Sequence, residues 1–417
     1  MVGCSDQITA ERQNTTGAFN SRYEYYIDRN YEIKHGSFSE WTKRGGIVTR
    51  QGTYKHDVKD GTWKFPGDHE GVYQNGREFS GDFFVANSEG APIRVERYKD
   101  GVRNGTWHYF YDQDTEVAAK TGRYDNDDKN GKWTLHYPDG QKWYEGDYRD
   151  GKKHDLWVWY HRSQPDSTSE SAEPTIKKKV FYRDGIMDGL WELYAKSTGK
   201  AMVKGTYKDN LKSGEWTYYY RTGNKSITGH FDEGKKSHQW QWFDQRGNQI
   251  ATGLYADGVE KSGTFLRFGK NEHIAFESQY ENGKMHGYST EYYQDEKTIK
   301  KRTPYREGLI EGKLERFSKN GELLIIEEFA KGKKHGKTSL FWSSTHPLNI
   351  EEYRDGKRHG KTTWYEVDGQ KTMEGYYKDD KRDGRWIKYD TNLKIIDEDI
   401  YVAGKCVELC EEDDTVE

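Results

Sequence analysis

Aromatic residues punctuate this polar chain at nearly fixed intervals: Tyr54, Tyr73, Tyr98, Tyr124, Tyr148, Tyr182, Tyr207, Phe231, Tyr255, Tyr280, Tyr305, Phe329, Tyr353, Tyr377 and Tyr401. Most are 24 or 25 residues apart. Three positions after each stands Gly in eleven cases, and Asp57, Asp127, Asn210 or Asp380 in the other four. All of these residue types accept positive φ, so a tight turn is predicted in every copy. Seven positions after the aromatic, or eight after Tyr73 and Tyr255, another Gly stands in twelve copies; Asp155, His238 and Glu408 are the exceptions. Two residues further on comes Trp63, Trp107, Trp133, Trp157, Trp191, Trp216, Trp240 or Trp386, replaced by Phe83 and Phe265, and by Ser289, Leu314, Thr338 and Thr362 in weaker copies.

Between that tryptophan and the next aromatic lies a second turn signal, such as Pro138-Asp139-Gly140 or Lys319-Asn320-Gly321. Two turns in 24 residues leave two strands of roughly six to eight residues, and no helix fits. Alternation puts Tyr144, Gly146 and Tyr148 on one strand face. A glycine two before the aromatic, present in eight copies, leaves a gap there in which a neighbouring strand's Trp can lie. The predicted fold is all-β: an elongated single-layer antiparallel β-meander, or solenoid, of about fifteen hairpin repeats.

Composition agrees with a thin structure. Of 417 residues 32% are hydrophobic and 33% charged, too few apolar residues for a thick core, yet 14 Trp, 32 Tyr and 16 Phe argue against disorder. The net charge of -4 gives no overall attraction to nucleic acid or to an anionic membrane. Cys406 and Cys410, four apart on a strand, are expected roughly 13 Å from one another and unbonded.

Departures from the period mark the ends and an insertion. Residues 1–30 read as a flexible tether, 31–405 as the array and 406–417 as an acidic tail. From Trp157 to Tyr182 the spacing is ten residues too long, and the polar stretch 163–175 reads as an excursion from a hairpin tip. Trp63 to Tyr73 is five residues short, so that hairpin is trimmed.

The segments YRDGKRHGKTTWY (Tyr353 to Tyr365) and YKDDKRDGRWIKY (Tyr377 to Tyr389) resemble the MORN repeat, membrane occupation and recognition nexus, in its bacterial variant. The resemblance extends from about residue 36 to 405. It implies elongated β-meanders that serve as protein-binding or assembly scaffolds, a lipid-binding role proposed for the eukaryotic form, and the antitoxin label that many bacterial variant-repeat proteins carry. Here Gly-x-Trp stands where the eukaryotic pattern has Gly-x-Gly.

No motif points to catalysis. Gly332 to Thr338 and Gly356 to Thr362 imitate a phosphate loop, but each is one residue short and lies at a hairpin turn instead of a helix start. His154, His286, His335 and His359 share one turn position, roughly 10 Å apart in adjacent copies, and read as solvated residues instead of zinc ligands. The basic pairs Lys152-Lys153, Lys235-Lys236, Lys333-Lys334, Lys357-Arg358 and Lys381-Arg382 read as a solubilising edge. Trp159, Trp242 and Trp364 stand two residues after the repeat's Trp position. They either extend the stacked core or, if exposed, are the candidate hot spots for a partner protein or platforms for a sugar. Val2-Gly3-Cys4-Ser5 matches the end of a bacterial lipoprotein cleavage box, making Cys4 a candidate lipidation site; a chance cysteine is the equal alternative.

The leading expectation is a monomeric, non-enzymatic scaffold that binds a protein along its surface, with no metal, no cofactor and no nucleic acid, tethered to the cell envelope if Cys4 is acylated and cytoplasmic otherwise. The alternatives are a cytoplasmic antitoxin or immunity protein and a carbohydrate-binding surface.

Overall fold

The computed structural model describes residues 10–16, 19–29, 31–87, 91–111, 114–163, 174–270, 272–295, 297–408 and 410. Among them there are 36 strands and no helix. The chain divides into two compact units, Met1–Gly214 and Glu215–Glu417. Each is an antiparallel meander in which strands pair with their neighbours in the chain, as the periodicity predicts.

One hairpin of the first unit explains the rest. Asp150 and Gly151, with φ of 48° and 75°, close the turn between the strands Lys142–Arg149 and Lys152–Tyr160. Positive φ at both central residues is the twist-matched hairpin turn, and the same two positions after every repeat aromatic adopt it. The register then slips by two between Glu145 and Asp147, and the partner strand takes up the two surplus residues in a bulge that begins at Asp155 (φ 56°). That bulge accounts for the second glycine of the motif: Gly131 (φ 67°) and Gly61 (φ 67°) hold the same place. In three copies the irregularity splits the strand, as between Val102–Arg103 and Gly105–Tyr111.

Within each unit the core is built largely from buried rings. Trp63, Trp133, Trp157, Trp216 and Trp240 are at most 1% exposed. A ladder indole N–H reaches a carbonyl at one fixed place, the residue before the repeat aromatic: Trp157 donates to Asp147 O (3.0 Å) and Trp133 to Arg123 O (3.1 Å). Burying such a ring contributes roughly 1.5 to 3 kcal/mol, so each hairpin that carries one brings its own increment.

Two expectations need correction. Residues 10–28 fall in the span read as a tether, yet Ala10–Thr16 pairs with Phe19–Asp28, which pairs with Tyr31–Thr42. This copy escaped the period because its strands run two pairs further before they turn: beyond Tyr25–Lys34 the pairing continues to Asp28–Tyr31, whereas beyond Tyr54–Lys59 it ends at Lys55–Val58. Tyr23 and Phe38 then join the same core cluster as Trp63 and Tyr73. Likewise Cys406 and Cys410 form a disulfide with a Cα separation of 6.0 Å. The 13 Å expectation assumed a continuous strand, but the strand Lys405–Glu408 stops between them. Cys4, residues 164–173 of the insertion and residues 411–417 of the tail lie outside the described residues.

Candidate functional site

The surface that a repeat can offer depends on which rings the ladder consumes. Along it, repeat aromatics meet the next tryptophan edge to face where one is present: Tyr148 and Trp157 lie 5.0 Å apart at 87°, Phe231 and Trp240 5.2 Å apart at 83°. This is the arrangement that aromatic quadrupoles favour. Several tryptophans share a cation with the repeat aromatic that follows them. Lys153 Nζ stands 4.3 Å from the Trp157 ring and 5.1 Å from Tyr182; Lys129, Lys59, Lys236 and Arg382 repeat the contact. They occupy the position of the second member of the turn's basic pairs. That member is therefore part of the ladder, held by cation–π attraction, instead of a solubilising edge. Burial pushes the Lys59 ammonium down to about 8, and lowers those of Lys129 and Lys153. The first member of each pair, such as Lys152, Lys235 and Lys357, is exposed.

The turn edge is stitched to the copy before it. Gly151 N donates to Lys129 O (3.0 Å), and Gly356 N to Lys334 O (2.8 Å). Where the glycine is replaced, the bond becomes reciprocal. Asp127 N donates to Arg103 O while Asp127 Oδ1 accepts from Arg103 N at 2.9 Å; Asp57 with Lys34, Asn210 with Met187 and Asp380 with Arg358 do the same. The turn histidines also face the next copy. His154 lies 3.5 Å from Asp184, His335 3.5 Å from Asp355 and His359 3.4 Å from Asp379. They are engaged with carboxylates instead of simply solvated. Among the described residues no His, Cys, Asp and Glu are grouped to hold a metal ion.

The opposite sheet face carries polar clusters. Glu145 accepts from Tyr160 (2.6 Å), Lys132 (3.0 Å) and Lys142 (3.2 Å). Burial pushes its carboxyl up, but the three donors outweigh this and hold it down at about 2. Glu374 repeats the cluster with Tyr389, Lys361 and Lys371, also at about 2.

The three tryptophans singled out in the sequence are placed as follows. Trp242 is 2% exposed and packs on Phe265 at 5.7 Å, so its ring is not offered to solvent. Trp159 is half-buried under Lys178 (4.1 Å) and beside Trp157; Trp364 is half-buried against Trp386 at 5.8 Å. Among the described residues the exposed indoles are Trp143 (44%) and Trp342 (50%). Trp143 stacks on Tyr137 (5.6 Å, 27°), and the Arg162 guanidinium covers Tyr137 at 5.5 Å while Asp139 holds Arg162 at 2.9 Å. The signal for Trp143 was in the chain: it stands one residue before Tyr144 and so falls on the face opposite Gly146.

No family model matches the chain, and no curated protein does. Solved structures that it resembles include the Photorhabdus luminescens Tc holotoxin pore, at 9% identity and a TM-score of 0.15, covering 94% of this chain and 25% of that one. Another is TcdB2-TccC3 without its hypervariable C-terminal region, at 11% identity and a TM-score of 0.13, covering 92% and 22%. The chain thus spans about a quarter of the length of these structures.

Proposed function

We propose that the chain is a non-enzymatic repeat scaffold of the bacterial MORN-variant kind, which holds a partner protein on the exposed aromatic surface of its hairpins. The observation that carries this reading is the Trp143–Tyr137–Arg162 stack. Its three residue types are those that dominate binding energy at protein interfaces, and they are already fixed in place before any partner arrives. Asp139 holds the arginine, so little side-chain freedom remains to be lost on binding. The repeats themselves are consumed by the ladder and do not converge on one reactive group.

The test is affinity capture from a lysate of the source organism with the intact protein and with Trp143→Ala. A specific partner should be retained by the first, and its affinity should fall by at least about 30-fold in the second, the scale of a hot-spot residue. Far-UV circular dichroism should not change, because Trp143 stands outside the ladder. A partner held equally by Trp143→Ala and by Arg162→Ala would place the interface elsewhere and end this reading.

A further inference from the structure

The trimmed hairpin leaves a notch in the first unit. Its strands, Val58–Phe65 and His69–Gln74, pair only as far as Phe65 with His69. The hairpin before it continues from Gly36–Tyr54 out to Trp41–Val48, and the one after it from Gly81–Tyr98 out to Ala86–Pro92. Where the middle hairpin stops short, a cavity of about 270 Å³ opens between its neighbours.

Three buried rings floor it: Phe65 at 8% exposure, Tyr73 at 5% and Phe83 at 3%. One wall carries Glu40, Thr49 and Arg50. There Arg50 Nη2 bonds Glu40 at 2.7 Å and Thr49 Oγ1 bonds it at 2.9 Å, but the buried Arg50 Nε has no hydrogen-bond partner among the described residues. The other wall carries Glu78, Arg94 and Glu96, with Arg94 bonded to Glu96 at 2.5 Å and Glu78 paired across the strands with Tyr73. Lys59, bonded to the Tyr73 hydroxyl at 2.9 Å, completes the lining.

We propose that this notch is a binding site for a small zwitterion of amino-acid size. Its carboxylate would meet the Arg50 and Arg94 guanidinium groups, its ammonium would meet Glu78 and Glu96, and its apolar body would rest on Phe65 and Phe83. The charges select the class. Three carboxylates and three cations face the cavity, so a simple anion meets three like charges and a simple amine meets three others. A molecule bearing both signs avoids each conflict, and a neutral apolar one would cover the charged lining groups without replacing the water they lose. The volume admits one residue-sized molecule. This goes beyond the scaffold reading and does not depend on it: the notch and the Trp143 stack share no residue.

The test is calorimetric titration of the intact protein with leucine and phenylalanine. Each is then compared with its des-amino acid (4-methylpentanoate, 3-phenylpropionate) and its decarboxylated amine (isopentylamine, phenethylamine). Saturable binding of one amino acid per chain is expected, with both analogues weaker by at least about tenfold, as the loss of one charge-assisted contact implies. Arg50→Gln and Glu78→Gln should each weaken binding by a similar factor. Because Arg50→Gln also removes the Glu40 pair and could unsettle the fold, the comparison of analogues on the unaltered protein decides. No saturable binding up to about 10 mM, a range covering the weakest specific sites, or equal binding of zwitterion and analogues, would overturn the proposal.

Discussion

The indole of Trp157 lies flat over Gly146, so that a Cβ built on the glycine would overlap the ring carbons. The same relationship joins Trp133 to Gly122, Trp63 to Gly52, Trp240 to Gly229 and Trp386 to Gly375. The φ of Gly146 is not in the left-handed region, so the requirement for glycine there is one of space alone. In the weaker copies both partners change together. Ser278 faces Ser289 with their hydroxyls 3.2 Å apart, Glu327 faces Thr338, and Glu351 faces Thr362. Volume removed from one strand is returned by the other.

This pairing predicts strong coupling. Gly146→Ser alone should destabilise by roughly 1 to 3 kcal/mol through overpacking, and Trp157→Ser by roughly 3 to 5 kcal/mol through loss of the ring. The double variant should cost clearly less than their sum, because the second change makes room for the first. Urea unfolding of the four proteins measures the coupling; additive costs would mean that the two residues do not share one space.

The reciprocal turn bond predicts a ranking at residue 127. Asp127→Asn should be nearly neutral, since Asn210 makes the same pair of bonds with Met187. Asp127→Ala should cost about 1 to 2 kcal/mol, losing the acceptor and placing a Cβ at φ 70° without it. Asp127→Gly should fall between them. Thermal melting of the three variants reads the order directly.

Acid stability should depend on the glutamates of the polar face. Glu145 and Glu374 are held at about 2 in the folded chain, against roughly 4.3 for an unfolded glutamate. A carboxyl whose pKa falls on folding contributes stability that is complete above the unfolded value and is lost as pH drops toward the folded one. The contribution should therefore vanish between about pH 4.3 and about pH 2. In Glu145→Gln/Glu374→Gln the denaturation midpoint should be lower at neutral pH and should change less across that window. An unchanged acid slope would remove these clusters from the stability of the fold.

The strand content, both turns and the seat of the tryptophan on glycine could be read from the chain, because each depends on alternation and φ preference within about ten residues. Contacts between copies could not. Lys153, Lys236 and Lys334 looked like a solubilising edge, yet each covers the next repeat's aromatic, Tyr182, Tyr255 and Tyr353. Which side chain meets which depends on the stagger of one hairpin against the next, and that is set by the bulges at residues such as Asp155, not by the period. The same gap hid the bonds of Asp127 and His154. For the candidate site, alternation put Trp159, Trp242 and Trp364 on the ladder face and left core extension and exposure as the two readings; Trp242 is buried in the core, whereas Trp159 and Trp364 are half-buried. Trp143 was legible only as a residue on the other face.

The claim that each hairpin is held chiefly to its neighbours, ring upon ring, is tested most directly by residue-resolved hydrogen exchange of the intact protein and of Trp157→Ala. Protection should fall in the strands Lys142–Arg149, Lys152–Tyr160 and Ile176–Arg183, which share that ring, while Val48–Lys55 and Val58–Phe65 keep their own. An equal loss of protection across every strand of the first unit would instead mean one undivided core, and would contradict the ladder.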